Sequence, residues 1–148
     1  MTKEMRKKRK GVKTTLLDLI FGLGLFAGLT GCQGKLSKNF DKQQVTEKAQ
    51  EMVEEISKGN LQQVYEETFT PVMKNGIKLE DLQENVDYLL EDKGAFQGFA
   101  RTQIKGIKDK DTDTEYATAL VLAEYENGKA LFTISFDKNM QCAGFYMK

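Results

Sequence analysis

Cys32, Cys142, five tyrosines and the alternating run Asp109-x-Asp111-x-Asp113 are the residues of this chain whose types and spacing suit chemistry, and no histidine accompanies them. Without His the chain lacks the commonest general base and metal ligand. The aspartate run begins like a calcium loop, which wants Gly at its sixth position and Glu at its twelfth. Thr114 and Leu120 stand there instead, so a polar hairpin turn is expected. The acidic pairs Glu54/Glu55, Glu66/Glu67 and Glu91/Asp92 are adjacent, and on a helix their side chains diverge by about a third of a turn. They read as solvated helix faces, because a carboxylate dyad needs a spacing of three or four. Tyr65, Tyr88, Tyr116, Tyr125 and Tyr146 carry more weight, since a phenol beside a carboxyl group can hold an oxyanion. Tyr125 is flanked by Glu124 and Glu126, but neighbouring strand residues face opposite sides of a sheet. Cys142 reads as a small buried apolar residue, with no cation close in sequence to activate its thiol. Neither a catalytic residue, a metal nor a cofactor is expected, and the chain is read as no enzyme.

That leaves Cys32, whose meaning depends on what precedes it. Lys3, Arg6, Lys7, Lys8, Arg9, Lys10 and Lys13 crowd the N-terminus against Glu4. Leu16–Leu29 follows, apolar apart from Asp18. A positive segment, a short apolar one and small residues before a break make a secretion leader, and a spanning helix would need ~20 apolar residues. Asp18 lies near the start of the run, where it can stay at headgroup level. Two glycine patterns fall inside this leader. Gly22-x-Gly24-x-x-Ala27 imitates a dinucleotide fingerprint but lacks the strand, helix and βαβ unit that give one meaning. Gly24-x-x-x-Gly28 imitates a helix-dimerisation motif, and in a removed segment both read as flexibility.

The run ends in Leu29-Thr30-Gly31-Cys32, which resembles the lipobox of bacterial lipoproteins. The resemblance implies cleavage before Cys32 and a diacylglyceryl thioether on its sulfur. The chain then divides into a signal peptide at 1–31, a tether at 32–42 and a domain at 43–148. It also implies a place on the extracytoplasmic face of the bacterial cell membrane, held by lipid. Acylation of Cys32 leaves Cys142 without a disulfide partner. The leader holds 7 basic and 2 acidic residues, leaving 15 basic and 20 acidic in the rest, a net charge of −5. The basic patch is thus a targeting device, and nucleic acid is excluded as a partner.

The domain must supply its own core, and its hydrophobic periods indicate how. Residues 33–42 show no period and read as a polar tether spanning at most ~35 Å. Val45, Ala49, Met52, Val53 and Ile56 then mark one face of a helix, ended by Ser57-Lys58-Gly59, with Asn60 placed to cap the next. Leu61, Val64 and Tyr65 belong to that second helix. Thr70-Pro71 opens a short third one, and Leu79, Leu82, Val86, Leu89 and Leu90 define a fourth, closed by Lys93-Gly94. Past Gly94 the pattern alternates. A strand is expected over 96–108, a polar turn over 109–114, a strand from Tyr116 to Tyr125 apolar on both faces, and a hairpin at Asn127-Gly128. Ala130, Phe132, Ile134 and Phe136 share one face of a third strand, turned toward the helices. Residues 140–147 supply the fourth. Helices first and a meander after them is an α+β plan, with the helices on one face of a four-stranded antiparallel sheet.

In that order of elements the chain resembles the nuclear-transport-factor-2-like, cone-shaped α+β superfamily, and within it the domain of unknown function 3887. The Ser57-Lys58-Gly59-Asn60 junction, the Leu79–Gly94 helix and Phe136-Asp137-Lys138-Asn139 leading to Gly144-Phe145 carry the resemblance, over about Gln43 to Met147. It implies a cone-like fold and transfers no catalytic residue. The functional expectation is an exported, lipid-anchored, non-catalytic module binding a small ligand or a protein partner at the cell envelope. The alternative is a structural or homodimerising domain using the open sheet face, and an enzyme with a pocket in the cone stands third. An empty cavity of ~300 Å³ in the cone, or its filling by Phe132, Phe136, Phe145 and Tyr146, separates the first two.

Overall fold

The computed structural model describes residues 34–148. Four helices come first: α1 (Lys42–Ser57), α2 (Leu61–Thr68), α3 (Pro71–Gly76) and α4 (Leu79–Leu90). Four strands follow: β1 (Phe96–Lys108), β2 (Glu115–Tyr125), β3 (Gly128–Phe136) and β4 (Cys142–Met147). They form one antiparallel sheet in the order β1-β2-β3-β4, so the fold is α+β with an open sheet. Among the described residues no helix is long and apolar enough to cross a membrane.

Local chemistry accounts for the helix boundaries. Asp41 caps α1, its carboxylate accepting from the Gln44 N–H at 2.9 Å. Gly59 ends that helix at φ +93°, where an L side chain is strained. Thr70 caps α3 by accepting from the Met73 N–H at 3.2 Å, and Pro71 follows at the first helical position. Asn60 stands before α2 but makes no side-chain cap. Its amide instead donates to Glu55 at 2.8 Å, locking the α1–α2 corner.

Val45, Ala49, Met52, Val53 and Ile56 are all buried on the sheet side of α1, as their period predicts. Opposite them, Ala117, Ala119, Val121 and Ala123 of β2 and Phe132, Ile134 and Phe136 of β3 are 0% exposed. The last strand breaks the simple alternation. A register shift after Ser135 lets Ala143 bulge, so Cys142 and Phe145, three apart, both enter the core. Tyr146 pairs with Thr133 and so lies on the outer face; the fully buried aromatics of the core are Phe69, Phe132, Phe136 and Phe145.

Three features depart from the sequence reading. The β2–β3 turn is centred on Glu126-Asn127, with Tyr125 paired to Gly128, one residue earlier than Asn-Gly chemistry suggests. Hydrogen bonds explain the offset: the Asn127 N–H donates to Lys93 O at 2.8 Å and the Glu126 carboxylate accepts from the Ala95 N–H at 2.8 Å. Leu120 and Leu122, on the outer face of β2, are only half-buried, so that strand is fully covered on one side alone. The third departure concerns residues 34–41, which lie along the domain instead of extending from it. Gly34 and Gly106 exchange backbone hydrogen bonds of 3.0 and 2.9 Å. Phe40 is buried in the core cluster and Leu36 packs against it. Phe40 precedes the cap and Val45 is the fourth helical residue, the arrangement of a hydrophobic staple.

Candidate functional site

Cys32 and the lipobox, the site the sequence points to most directly, fall outside the described residues. The remaining candidates have definite surroundings. Asp109 uses its carboxylate to accept from the Asp111 N–H at 2.8 Å, and its carbonyl accepts from the Asp113 N–H at 2.9 Å. Asp113 sits at φ +62° with its carboxylate 3.1 Å from Lys108 Nζ. These are the bonds of a tight polar turn. Among the described residues no group of three or more His, Cys, Asp or Glu is placed to hold a metal ion.

The tyrosines divide between packing and surface. The Tyr125 phenol lies 2.7 Å from Ser57 Oγ, whose own proton goes to Val53 O at 2.7 Å. Tyr125 is therefore the donor, tying the end of β2 to the last turn of α1. Burial raises its pKa. Tyr65 donates to Ile77 O at 2.7 Å and stacks at 5.2 Å on Phe69. Burial, and then the charge of Glu80, push its phenol up. Both hydroxyls are committed to joining elements. Cys142 is fully buried, its thiol facing Gly144 O at 3.4 Å. Desolvation pushes it up to about 12, far from the range of a nucleophilic thiolate.

Among the described residues, two surface grooves carry charged groups. One, of about 290 Å³, lies between α1 and α2 and carries Glu51, Glu55 and Glu67 beside Lys48. The other, of about 370 Å³, lies where the 34–41 strap meets the ends of β1 and β2. Its polar groups are Lys35, Lys38 and Lys108 on one hand and Glu115 on the other, with Tyr116 and Ile107 as walls. Glu115 accepts from the Asn39 amide at 3.0 Å. Ser37, then Asn39, hold its carboxyl below the usual range, with Lys138 and Lys108 adding to the effect. Gly106 makes the close approach feasible: a methyl group there would overlap the Lys35 carbonyl. Sequence reasoning missed this site. Its signal was Leu36 and Phe40 standing four apart in a polar stretch that ends in a capping aspartate.

Residues 49–145 match the family model described as Protein of unknown function (DUF3887). The chain belongs to that family. The DUF3887 assignment covers α1 from Ala49 to the heart of β4, and so includes every element of the core but not the strap. A protein from Ruminococcus gnavus ATCC 29149, solved by NMR, superposes with a TM-score of 0.66 at 24% identity, covering 78% of this chain and 98% of that one. At that identity the likeness extends to the fold alone. A comparison with curated proteins found no match.

Proposed function

We propose that this DUF3887 member is an exported, lipid-anchored, non-catalytic module on the extracytoplasmic face of the bacterial cell membrane, binding a protein partner across the outer face of its sheet. The observation that carries this is the contrast between the two sides of the sheet. On the helix side Phe132, Ile134, Phe136 and Phe145 are 0–1% exposed and fill the space where a small ligand would enter. On the outer side Leu122 pairs with Leu131 across two strands, and Leu120 with Thr133, which pairs in turn with Tyr146. All five are half-buried. Partly exposed apolar residues across three adjacent strands suit a protein surface better than a small solute. The helices followed by a four-stranded meander are compatible with a nuclear-transport-factor-2-like cone, whose open face commonly meets other proteins. The same stripe would serve a second copy, the alternative reading.

The anchor and the face are tested separately. In producing cells fed a clickable fatty acid, the full chain is expected to take the label and Cys32→Ala to lose it; label retained on the variant overturns the anchor. A photo-crosslinking residue at Leu122 or Leu131 of the full chain is expected to give adducts of one mass, absent when the residue replaces exposed Gln62 on α2. An adduct of twice the chain's mass transfers the face to a homodimer. Silence at both positions overturns the partner reading.

A further inference from the structure

The strap changes what an anchor at Cys32 would do. A tether of ten free residues would let the domain roam as far as ~35 Å from the membrane in any orientation. Gly34, however, is fixed to Gly106 by two backbone hydrogen bonds, and Phe40 and Leu36 pin the residues after it to the core. Two residue steps separate Gly34 from Cys32, a reach of about 7 Å. The bridge is antiparallel, so the chain at Gly34 points its N-terminal side toward the β1–β2 turn.

We infer that the strap orients the domain on the bilayer, with the Gly34–Gly106 corner against the phospholipid headgroups and the β2–β3 hairpin pointing outward. This rests on the lipid anchor at Cys32 proposed above. The corner is chemically suited to an anionic surface. Lys35, Lys38 and Lys108 face the groove there against the single carboxylate of Glu115, which Asn39 already engages. Of the three aspartates in the adjacent turn, Asp113 is paired with Lys108, the Asp109 carboxylate accepts from the Asp111 N–H, and Asp111 itself is exposed with Lys110 beside it in sequence. The helical layer is charged the other way. Residues 43–94 hold twelve acidic and five basic side chains, and an anionic surface repels them. β1 is 13 residues long, so at ~3.3 Å per residue its two ends lie about 40 Å apart. Hydrogen bonds from the Glu126 and Asn127 N–H groups to Ala95 and Lys93 place the β2–β3 hairpin at the far end. The outer sheet face then stands upright on the membrane, open to a partner approaching from the side.

The test uses the full lipidated chain in vesicles containing phosphatidylglycerol and a headgroup-bound quencher. Single fluorophores are attached at Thr112→Cys, in the β1–β2 turn, and at Asn127→Cys, in the β2–β3 turn; Cys142 is buried and does not compete. Quenching at position 112 is expected to exceed that at 127 several-fold. A ten-residue Gly/Ser insertion between Gln33 and Gly34 leaves the domain's contacts intact and is expected to remove most of the difference. Lys35→Glu with Lys38→Glu should weaken quenching at 112 while leaving 127 unchanged. Equal quenching at the two sites in an acylated chain overturns the orientation and leaves the anchor standing, as does a difference that survives the insertion unaltered. A chain that takes no fatty-acid label overturns both together.

Discussion

The two faces of the sheet are built from the same four strands, yet one is sealed by large apolar side chains and the other leaves its leucines half-buried. On the helix side, size is partitioned by strand. β2 offers Ala117, Ala119, Val121 and Ala123 under α1, which lies over β1 and β2, and small residues let the helix settle onto the sheet. β3 offers Phe132, Ile134 and Phe136, and β4 adds Phe145, which packs against Phe69 and Phe132. On the outer side the strands supply Leu, Thr, Ser and Tyr, and closure is achieved by neighbours within the sheet. Thr118 and Ser135, 3% and 1% exposed, lie opposite one another with their hydroxyls 2.7 Å apart. A polar pair satisfied across strands needs no helix over it. The closed face thus carries stability, and the outer face is left with apolar area that stability does not require.

Substitutions on paired strands break or sharpen that contrast. Ile134→Asp places a carboxylate in the core cluster between its strand partners Ala119 and Phe145 and is expected to cost several kcal/mol, enough to unfold a domain of ordinary marginal stability; chemical denaturation of residues 34–148 measures it. Next comes the strap. Residues 43–148 lack Phe40 and Leu36, and relative to 34–148 should lose about 2–3 kcal/mol from the exposed apolar surface, seen as a lower denaturation midpoint. Cys142 reports the closed face chemically. Its folded pKa is raised, so above the unfolded value near 9 the unfolded chain loses a proton that the folded one keeps. Stability should therefore be complete below pH 9 and fall by up to about 1.4 kcal/mol per pH unit as pH rises toward 12. Cys142→Ala should flatten that part of the slope, and alkylation of the native thiol should be limited by unfolding. The smallest effect belongs to Thr133→Asp on the outer face, expected within about 1 kcal/mol. A loss equal to that of Ile134→Asp would mean the outer face is as closed as the inner one.

Much of this was legible because burial leaves a period. The core face of α1 and the β3 register follow from spacing, since one slip in either would turn a whole apolar set to water; the start of α3 follows from the capping Thr70 and Pro71 at the first helical position. What was hidden came from contacts distant in sequence. The turn at Glu126-Asn127 is decided by Lys93 and Ala95, not by the Asn-Gly pair itself. Asn60 abandons its capping role because Glu55 is near enough to take its amide. Tyr146 reads as a core residue until Ala143 bulges and reverses the parity of β4. The strap was least visible, because two apolar residues in ten define no period, and its docking depends on a glycine some seventy residues downstream. The Tyr65 and Tyr125 hydroxyls bridge elements, and the aspartates of residues 109–113 close a turn, roles that depend on partners the local sequence does not name.

The bridge between Gly34 and Gly106 has a counterpart at the other margin of the sheet, where Phe69 pairs with Cys142 and the Thr70 N–H donates to Cys142 O at 3.0 Å. Each outer strand is therefore interrupted by one foreign residue, and β1 carries two further register shifts near its start. An open sheet is a template for strand addition, and short obstructions or bulges along its margins are what prevent it. Molecules confined to a surface meet one another edge to edge far more often than molecules in solution. For the anchored chain proposed above, these two stops would keep lateral encounters from zipping into a continuous, aggregated sheet.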